Sequence, residues 1–311
     1  MSINWYPGHM HKATKEIKEI LPRVDCIIEV LDSRIPYSSE NPVIAKLRED
    51  IPTIKLLSKS DLSDPELTQK WIEYYEQDES VKAMAVTTDQ PERIRQISSL
   101  IKKLVPFKDD KAGCIDVLIM GIPNVGKSTI INTLAGKAIA KTGNEPAVTK
   151  GQQKINLHNG IMLWDTPGIL WPKVENENSG YRLAITGAIK DTAMSHDDVA
   201  CFAAEYLLEN YPDFLQQRYK LASLPETEVE LLEIIGRNRG CLGGGGHVDF
   251  DKVAKILLNE FRDATIGRIT LETPEMAAVE KVAVEIILQR KAEEKEAKKQ
   301  QRQSRAKKRN K

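Results

Sequence analysis

Four cysteines in 311 residues (Cys26, Cys114, Cys201 and Cys241, with no CxxC pair) are too few and too scattered for a disulfide scaffold or a zinc ribbon. They read as buried apolar side chains rather than metal or redox groups. Aromatic residues make up only 5% of the chain, which argues against a surface built to stack unpaired bases. No run of about 18 apolar residues occurs, so no segment predicts a membrane-spanning helix. The amino terminus, MSINWYPGHM, lacks the apolar core of a secretory signal, and a cytoplasmic protein is expected. Net charge is missing too, because 45 Lys and Arg balance 45 Asp and Glu. That zero conceals a division. Residues 290–311 hold 11 basic and 3 acidic side chains, a balance of +8, which leaves residues 1–289 at −8. A basic tail on an acidic body predicts a polyanionic partner met through the tail.

What is present suits a soluble globular chain, with 41% hydrophobic and 29% charged residues and length enough for two cores. Short apolar runs at 26–31, 53–57, 82–86, 115–120 and 161–164 read as strands. Residues 38–49, 65–77 and 90–104 read as intervening helices, the second opening at Asp64-Pro65. This alternation predicts a parallel sheet covered on both faces, with ligands beyond the strand carboxyl ends. After about residue 175 the pattern is helical only. Ser195 with Asp198 reads as a capped start, ahead of Val199, Phe202, Ala203, Tyr206 and Leu207. Residues 249–265 carry Val253, Ile256, Leu257 and Phe261, and a last helix begins at Pro274 and runs into the tail. The expected organisation is a nucleotide-binding domain at 1–175, a helical domain at 176–288 and a basic tail at 289–311. The run Gly243–Gly246 reads as a flexible connection between helices, with close approach to a ligand backbone as the alternative.

The chemistry concentrates in four stretches. GIPNVGKST, residues 121–129, fits the phosphate-loop spacing G-x-x-x-x-G-K-S between a strand and a helix. Gly126 and its neighbours Asn124, Val125 and Thr129 would turn backbone N–H groups toward phosphate oxygens, Lys127 would reach the β- and γ-phosphates, and Ser128 would ligate Mg²⁺. DTPG, residues 165–168, offers Asp165 to the magnesium shell and the Gly168 amide to the γ-phosphate. Thr149, between the two, is the candidate to close over the same ion. SKSD, residues 58–61, supplies the base: the Asp61 carboxylate can accept from guanine N1–H and the 2-amino group, and the Lys59 stem can lie across the purine. Ser58 stands where Asn is usual, with less hydrogen-bonding capacity, so weaker affinity is expected. Ser60 belongs to the same loop, and Thr87 in AVTTD would support the base from its other side. The base-reading stretch precedes the phosphate loop, the reverse of an ordinary GTPase chain.

The order SKSD, TTD, GIPNVGKS, Thr149, DTPG resembles that of the circularly permuted GTPases. WYPGHMHKATKEI, DSRIPYSSENP and GRNRGCLGGGGHVDFDKVAKILLNEFRDATIGRITLE are similar to motifs of bacterial family members that assemble the large ribosomal subunit, a likeness covering roughly residues 1–275. It implies an α/β fold with a circularly permuted P-loop GTPase domain and an all-α carboxyl-terminal domain. It also implies GTP and GDP as ligands, and as partners a large (50S) subunit precursor and its rRNA. Such a protein would bind late in maturation in the GTP state and leave on hydrolysis, probing the particle as a monomer. The permutation has a mechanical consequence, since DTPG passes through the linker 170–180 straight into the helical domain, which a change at the phosphate could reorient.

Ile169 and Leu170 follow DTPG where many GTPases place a water-orienting glutamine, so catalytic help must come from elsewhere. His9 in PGHM is one candidate, against an ordinary structural histidine, with His11 as a stand-in. The resemblance offers Asn124 as a K⁺ ligand, against a side chain that merely stabilises its loop. Slow hydrolysis accelerated by a ribosomal particle is expected. The tail reads as an RNA contact, against a solvated helix end. The rival to an enzyme is an RNA-binding assembly scaffold for which guanine nucleotide is a regulatory ligand without turnover.

Overall fold

The computed structural model describes residues 8–42, 48, 51–106, 113–140, 152–170, 174–190, 192 and 194–309. Helix α1 (Gly8–Ile20) leads into β1 (Cys26–Asp32), the short α2 (Pro36–Ser39), β2 (Thr53–Ser58), α3 (Pro65–Tyr75), β3 (Val81–Ala85), α4 (Pro91–Leu104) and β4 (Ile115–Gly121). Helix α5 (Lys127–Ala135) then precedes β5 (Gln153–Asn156) and β6 (Ile161–Asp165). The six strands form one sheet in the order β3-β2-β1-β4-β6-β5. All pairs are parallel except β5 with β6. Every residue of β1 and β2 is buried, the mark of central strands covered on both faces. The expected all-parallel sheet is therefore mixed, because β5 adds an antiparallel edge. QKIN buries only Ile155, so this strand has no apolar run to reveal it. Of the helix expected at 38–49, α2 occupies an earlier position, and residues 43–47, 49 and 50 lie outside the described residues.

Among the described residues, everything after β6 is helical apart from one isolated bridge between Leu242 and Val248. The elements are α6 (Glu177–Ile185), α7 (His196–Asn210), α8 (Pro212–Tyr219), α9 (Glu228–Asn238), α10 (Phe250–Arg262) and α11 (Pro274–Arg309). Ser195 caps α7 by accepting from the Asp198 N–H, and Asp249 caps α10 by accepting from Lys252. The buried stripes are Val199, Ala200, Ala203, Ala204 and Leu207 on α7, and Val253, Ala254, Leu257, Leu258 and Phe261 on α10. The glycine run connecting α9 to α10 is a closed turn rather than a loose tether. Gly243 donates to His247 O at 2.8 Å beside the Leu242–Val248 bridge. Helix α11 passes residue 289 without interruption.

The helical region is bolted to the sheet domain through buried polar groups. Glu272, between α10 and α11, accepts from the Ser38 N–H at 3.1 Å and from Arg182 of α6 at 3.3 Å, and it touches the Ser38 hydroxyl. Arg182 also grips Glu280 of α11 through both terminal nitrogens, at 2.8 and 2.9 Å. Trp71 of α3 donates its indole N–H to Glu272 O at 3.0 Å.

Candidate functional site

Strand register sets the site. Val30 pairs with Gly121, Asp32 with Ser58, and Ile119 with Asp165, so the carboxyl ends of β1, β2, β4 and β6 open on one edge. The stretches 32–34, 58–61, 121–128 and 165–168 emerge there side by side. The phosphate loop turns into α5 at Gly126, whose φ of +91° lies in the left-handed region a side chain disfavours. DTPG folds back onto this loop. A Cβ on Gly168 would stand 2.9 Å from Pro123 Cα, a clash with backbone, and the Ile169 N–H donates to Gly121 O at 3.0 Å. Ile169 and Leu170 are buried in the core, so neither reaches a water at the site.

Lys127 and Asp165 form an ion pair in this pocket, 6% and 1% exposed respectively. Burial pushes the Asp165 carboxyl up, with the Lys127 ammonium opposing it, and burial pushes the Lys127 ammonium down. The second carboxylate oxygen, Asp165 Oδ2, is buried without a hydrogen-bond partner. An ionised oxygen left in that state is costly, and a hard divalent cation is the ligand that satisfies it. Ser128, in the first turn of α5, adds a hydroxyl of the type Mg²⁺ takes, so the residues present fit the ion. Thr149 lies outside the described residues.

At the other end of the edge, the Ser58 hydroxyl lies 2.8 Å from Leu31 O and 2.6 Å from Val125 O. The shorter side chain thus ties the SKSD loop to β1 and to the phosphate loop, a role that position 58 does not show in the sequence. Lys59 takes a left-handed backbone (φ 56°) and donates to Asp32 Oδ2 at 3.0 Å. Asp32 also receives two side-chain bonds from Arg34, at 2.9 and 2.7 Å. Burial would raise the Asp32 carboxyl, but the Arg34 guanidinium and Lys59 ammonium outweigh it and hold the group well below the usual carboxylate range. Asp61 is exposed. The Ser60 N–H donates to Val86 O at 3.3 Å, which sets the buried Thr87 beside the loop.

Thirteen of the candidate residues therefore share this edge: Ser58, Lys59, Ser60, Asp61, Thr87, Asn124, Val125, Gly126, Lys127, Ser128, Thr129, Asp165 and Gly168. His9 falls in α1, and its side chain, like that of His11, lies outside the described residues. Asn124 donates its amide to Gly187 O, just past α6, at 2.8 Å. Sequence reasoning missed the roles of Asp32 and Arg34, although DSRIP had stood out as a motif.

A sheet with a phosphate loop at its carboxyl edge and an SKSD loop contributed from upstream defines a P-loop GTPase of circularly permuted order. A family model described as 50S ribosome-binding GTPase matches residues 116–228. Ribosome biogenesis GTPase A of Priestia megaterium is 47% identical over 285 residues, covering 89% of this chain and 99% of that protein. The chain belongs to the ribosome biogenesis GTPase A family. Its member from Thermotoga maritima is 31% identical over 273 residues, covering 88% of this chain and 95% of that one. The chain is also similar to GNP-bound YlqF from T. maritima, with TM-score 0.60 and 28% identity over 85% of this chain and 99% of the other. Against a GDP-bound YlqF structure the TM-score is 0.61, again at 28% identity, over 84% and 99%.

Proposed function

We propose that this GTPase acts late in maturation of the large ribosomal subunit, binding the precursor in the GTP state and leaving after hydrolysis. The observation that carries this reading is the bond from Asn124 in the phosphate loop to Gly187, just past α6. Gly187 stands next to the carbonyls of Ala184 and Ile185, which accept from Arg262 at 3.0 and 2.8 Å. Arg262 in turn offers its own carbonyl to Arg34 at 3.2 Å. A shift of the phosphate loop is thereby felt by the helical region, the surface left for a particle to contact. Large-subunit choice also draws support from the 50S ribosome-binding family that the chain matches, and RNA as the contact from the basic tail.

In this reading Val125, Gly126, Lys127, Ser128 and Thr129 hold phosphates, while Ser60, Asp61, Lys59 and Thr87 hold guanine. Gly168 senses the γ-phosphate. Ser128, Thr149 and Asp165 hold Mg²⁺, which neutralises developing charge on the phosphate oxygens when bound. Lys127 gives up its ion pair with Asp165 to bind phosphate. His9 orients water, and Asn124 keeps K⁺ near the phosphates while its amide stays on Gly187. Single-turnover GTP hydrolysis, with and without purified large-subunit precursor, tests the proposal. Slow turnover that the particle accelerates, and K⁺ accelerates over Na⁺, is the expected result. Turnover indifferent to the particle would refute the proposed role.

A further inference from the structure

The loop that carries Asp61 is not held by the sheet domain alone. Arg268, in the segment joining α10 to α11, spreads its guanidinium across two of the loop's carbonyls. Its Nε donates to Ser63 O at 3.0 Å and a terminal nitrogen donates to Ser60 O at 2.9 Å. Between these two, the Ile269 N–H donates to Leu62 O at 3.2 Å. Three carbonyls flanking Asp61 are thus occupied by two consecutive residues from over 200 positions downstream. The segment continues on the same course. Thr270 Oγ1 accepts from the Asp64 N–H at 3.1 Å, the Leu271 N–H donates to Arg34 O at 2.8 Å, and the Tyr211 hydroxyl sits 3.2 Å from Asp64 Oδ2.

We propose that Arg268 is a specificity-determining positioning residue of the guanine pocket, and that discrimination of guanine requires the carboxyl-terminal segment to be docked. The proposal rests on the reading of SKSD as the base loop. The planar fork of an arginine suits it to fixing two acceptors at once, which a lysine cannot do. The carbonyl of Ser60, the residue before Asp61, is one of those acceptors and that of Ser63 the other. Losing the fork removes one hold on each side of the carboxylate and leaves the Ile269 bond to Leu62 and the Ser60 bond to Val86 to carry the loop. Arg268 is itself exposed, so its packing does not support the core. A carboxylate that reads two donors of one base edge tolerates little displacement, because both bonds need good geometry. The helical region would then govern both ends of the nucleotide, through Gly187 at the phosphates and Arg268 at the base.

The test compares full-length protein with Arg268→Ala and Arg268→Lys for binding of GDP, IDP and ADP. Inosine lacks the 2-amino group, so the GDP-to-IDP ratio reports one of the two Asp61 contacts. Wild type is expected to prefer GDP over IDP, and Arg268→Ala to reduce that preference by about tenfold. Arg268→Lys should fall between the two, and melting temperatures should stay close together. A fault of folding alone would weaken GDP and IDP alike and leave their ratio intact. If wild type prefers GDP but Arg268→Ala keeps the same ratio, the positioning role is wrong and the base loop stands. A wild type that binds GDP, IDP and ADP equally would overturn the reading of SKSD itself.

Discussion

At the scale of single residues, the site is governed by charges that burial makes expensive and neighbours make tolerable. Asp32 and Asp165 share an edge and are equally buried, yet their carboxyls shift in opposite directions. Asp32 has two cations and four donated bonds, from the Arg34 N–H, the Arg34 side chain twice and Lys59. Asp165 has Lys127 on one oxygen, while the other is buried without a partner. The first is a structural anchor and the second keeps an oxygen to offer a cation. The depressed Asp32 carboxyl fixes a pH dependence. Its contribution to stability is complete above the unfolded carboxylate value, about 3.9, and is lost as pH falls through that value toward the lower folded one. Asp32→Asn, which cannot titrate, should therefore melt below wild type at neutral pH, and the gap should narrow as pH drops from about 4 toward 2. A gap that stays constant over that range would show that Asp32 stabilises by shape rather than charge.

Among the elements, those with strong periodicity were legible and those defined by long-range contact were not. The five parallel strands betray themselves through short, mostly apolar runs, which in β1 and β2 follow from burial on both faces. Helix α3 shows its start in Asp64-Pro65, where the aspartate accepts from the Glu66 and Leu67 N–H groups. Strand β5 escapes because an edge strand with a single buried residue leaves no pattern. The phosphate loop, DTPG and SKSD were readable because their chemistry is local in sequence. Arg268 was not, since nothing near position 268 says that its donors will find carbonyls at 60 and 63. The structural role of Ser58 is hidden for a related reason: nothing near position 58 says that its hydroxyl will find Val125 O at 2.6 Å. At this scale the close stacking of DTPG on the phosphate loop makes a prediction. Gly168→Ala drives a methyl into the Pro123 backbone, so the two loops must separate. GDP, which lacks the γ-phosphate, should bind almost as in wild type. Affinity for a non-hydrolysable GTP analogue should fall by about tenfold or more, since the Gly168 amide leaves its place. Equal losses for the two nucleotides, measured by fluorescent-nucleotide titration, would mean that Gly168 shapes the pocket without sensing the γ-phosphate.

For the whole molecule, charge is divided along the chain in a way the fold turns into geometry. Helix α11 begins against the sheet domain, where Ala277 is buried and Lys281 donates to the Tyr74 hydroxyl at 2.9 Å. From residue 285 to 299 every residue is exposed, and the last tie to the body among the described side chains is the ion pair of Lys291 with Glu175, beyond which the helix runs on exposed to residue 299. At 1.5 Å per residue, the stretch from Lys291 to Arg309 extends on the order of 27 Å. Arginine and lysine make up half of residues 290–311, whereas the body behind them carries a balance of −8. An acidic body repels a polyanion at distance, while a projecting basic helix meets it first, which favours contact by the tail before contact by the helical core. Phosphate contacts of this kind release counterions and read no sequence. Removing residues 290–311 should therefore weaken binding to rRNA most at low salt. The plot of log affinity against log salt should become shallower by about 0.7–0.9 for each phosphate that the tail had neutralised. Basal hydrolysis without RNA should be unchanged, since the described tail side chains, residues 290–299, make no contact with the nucleotide edge. If the truncated protein binds rRNA with the same affinity and the same salt slope, the tail is a solvated helix end, and particle recognition falls wholly to α6–α10.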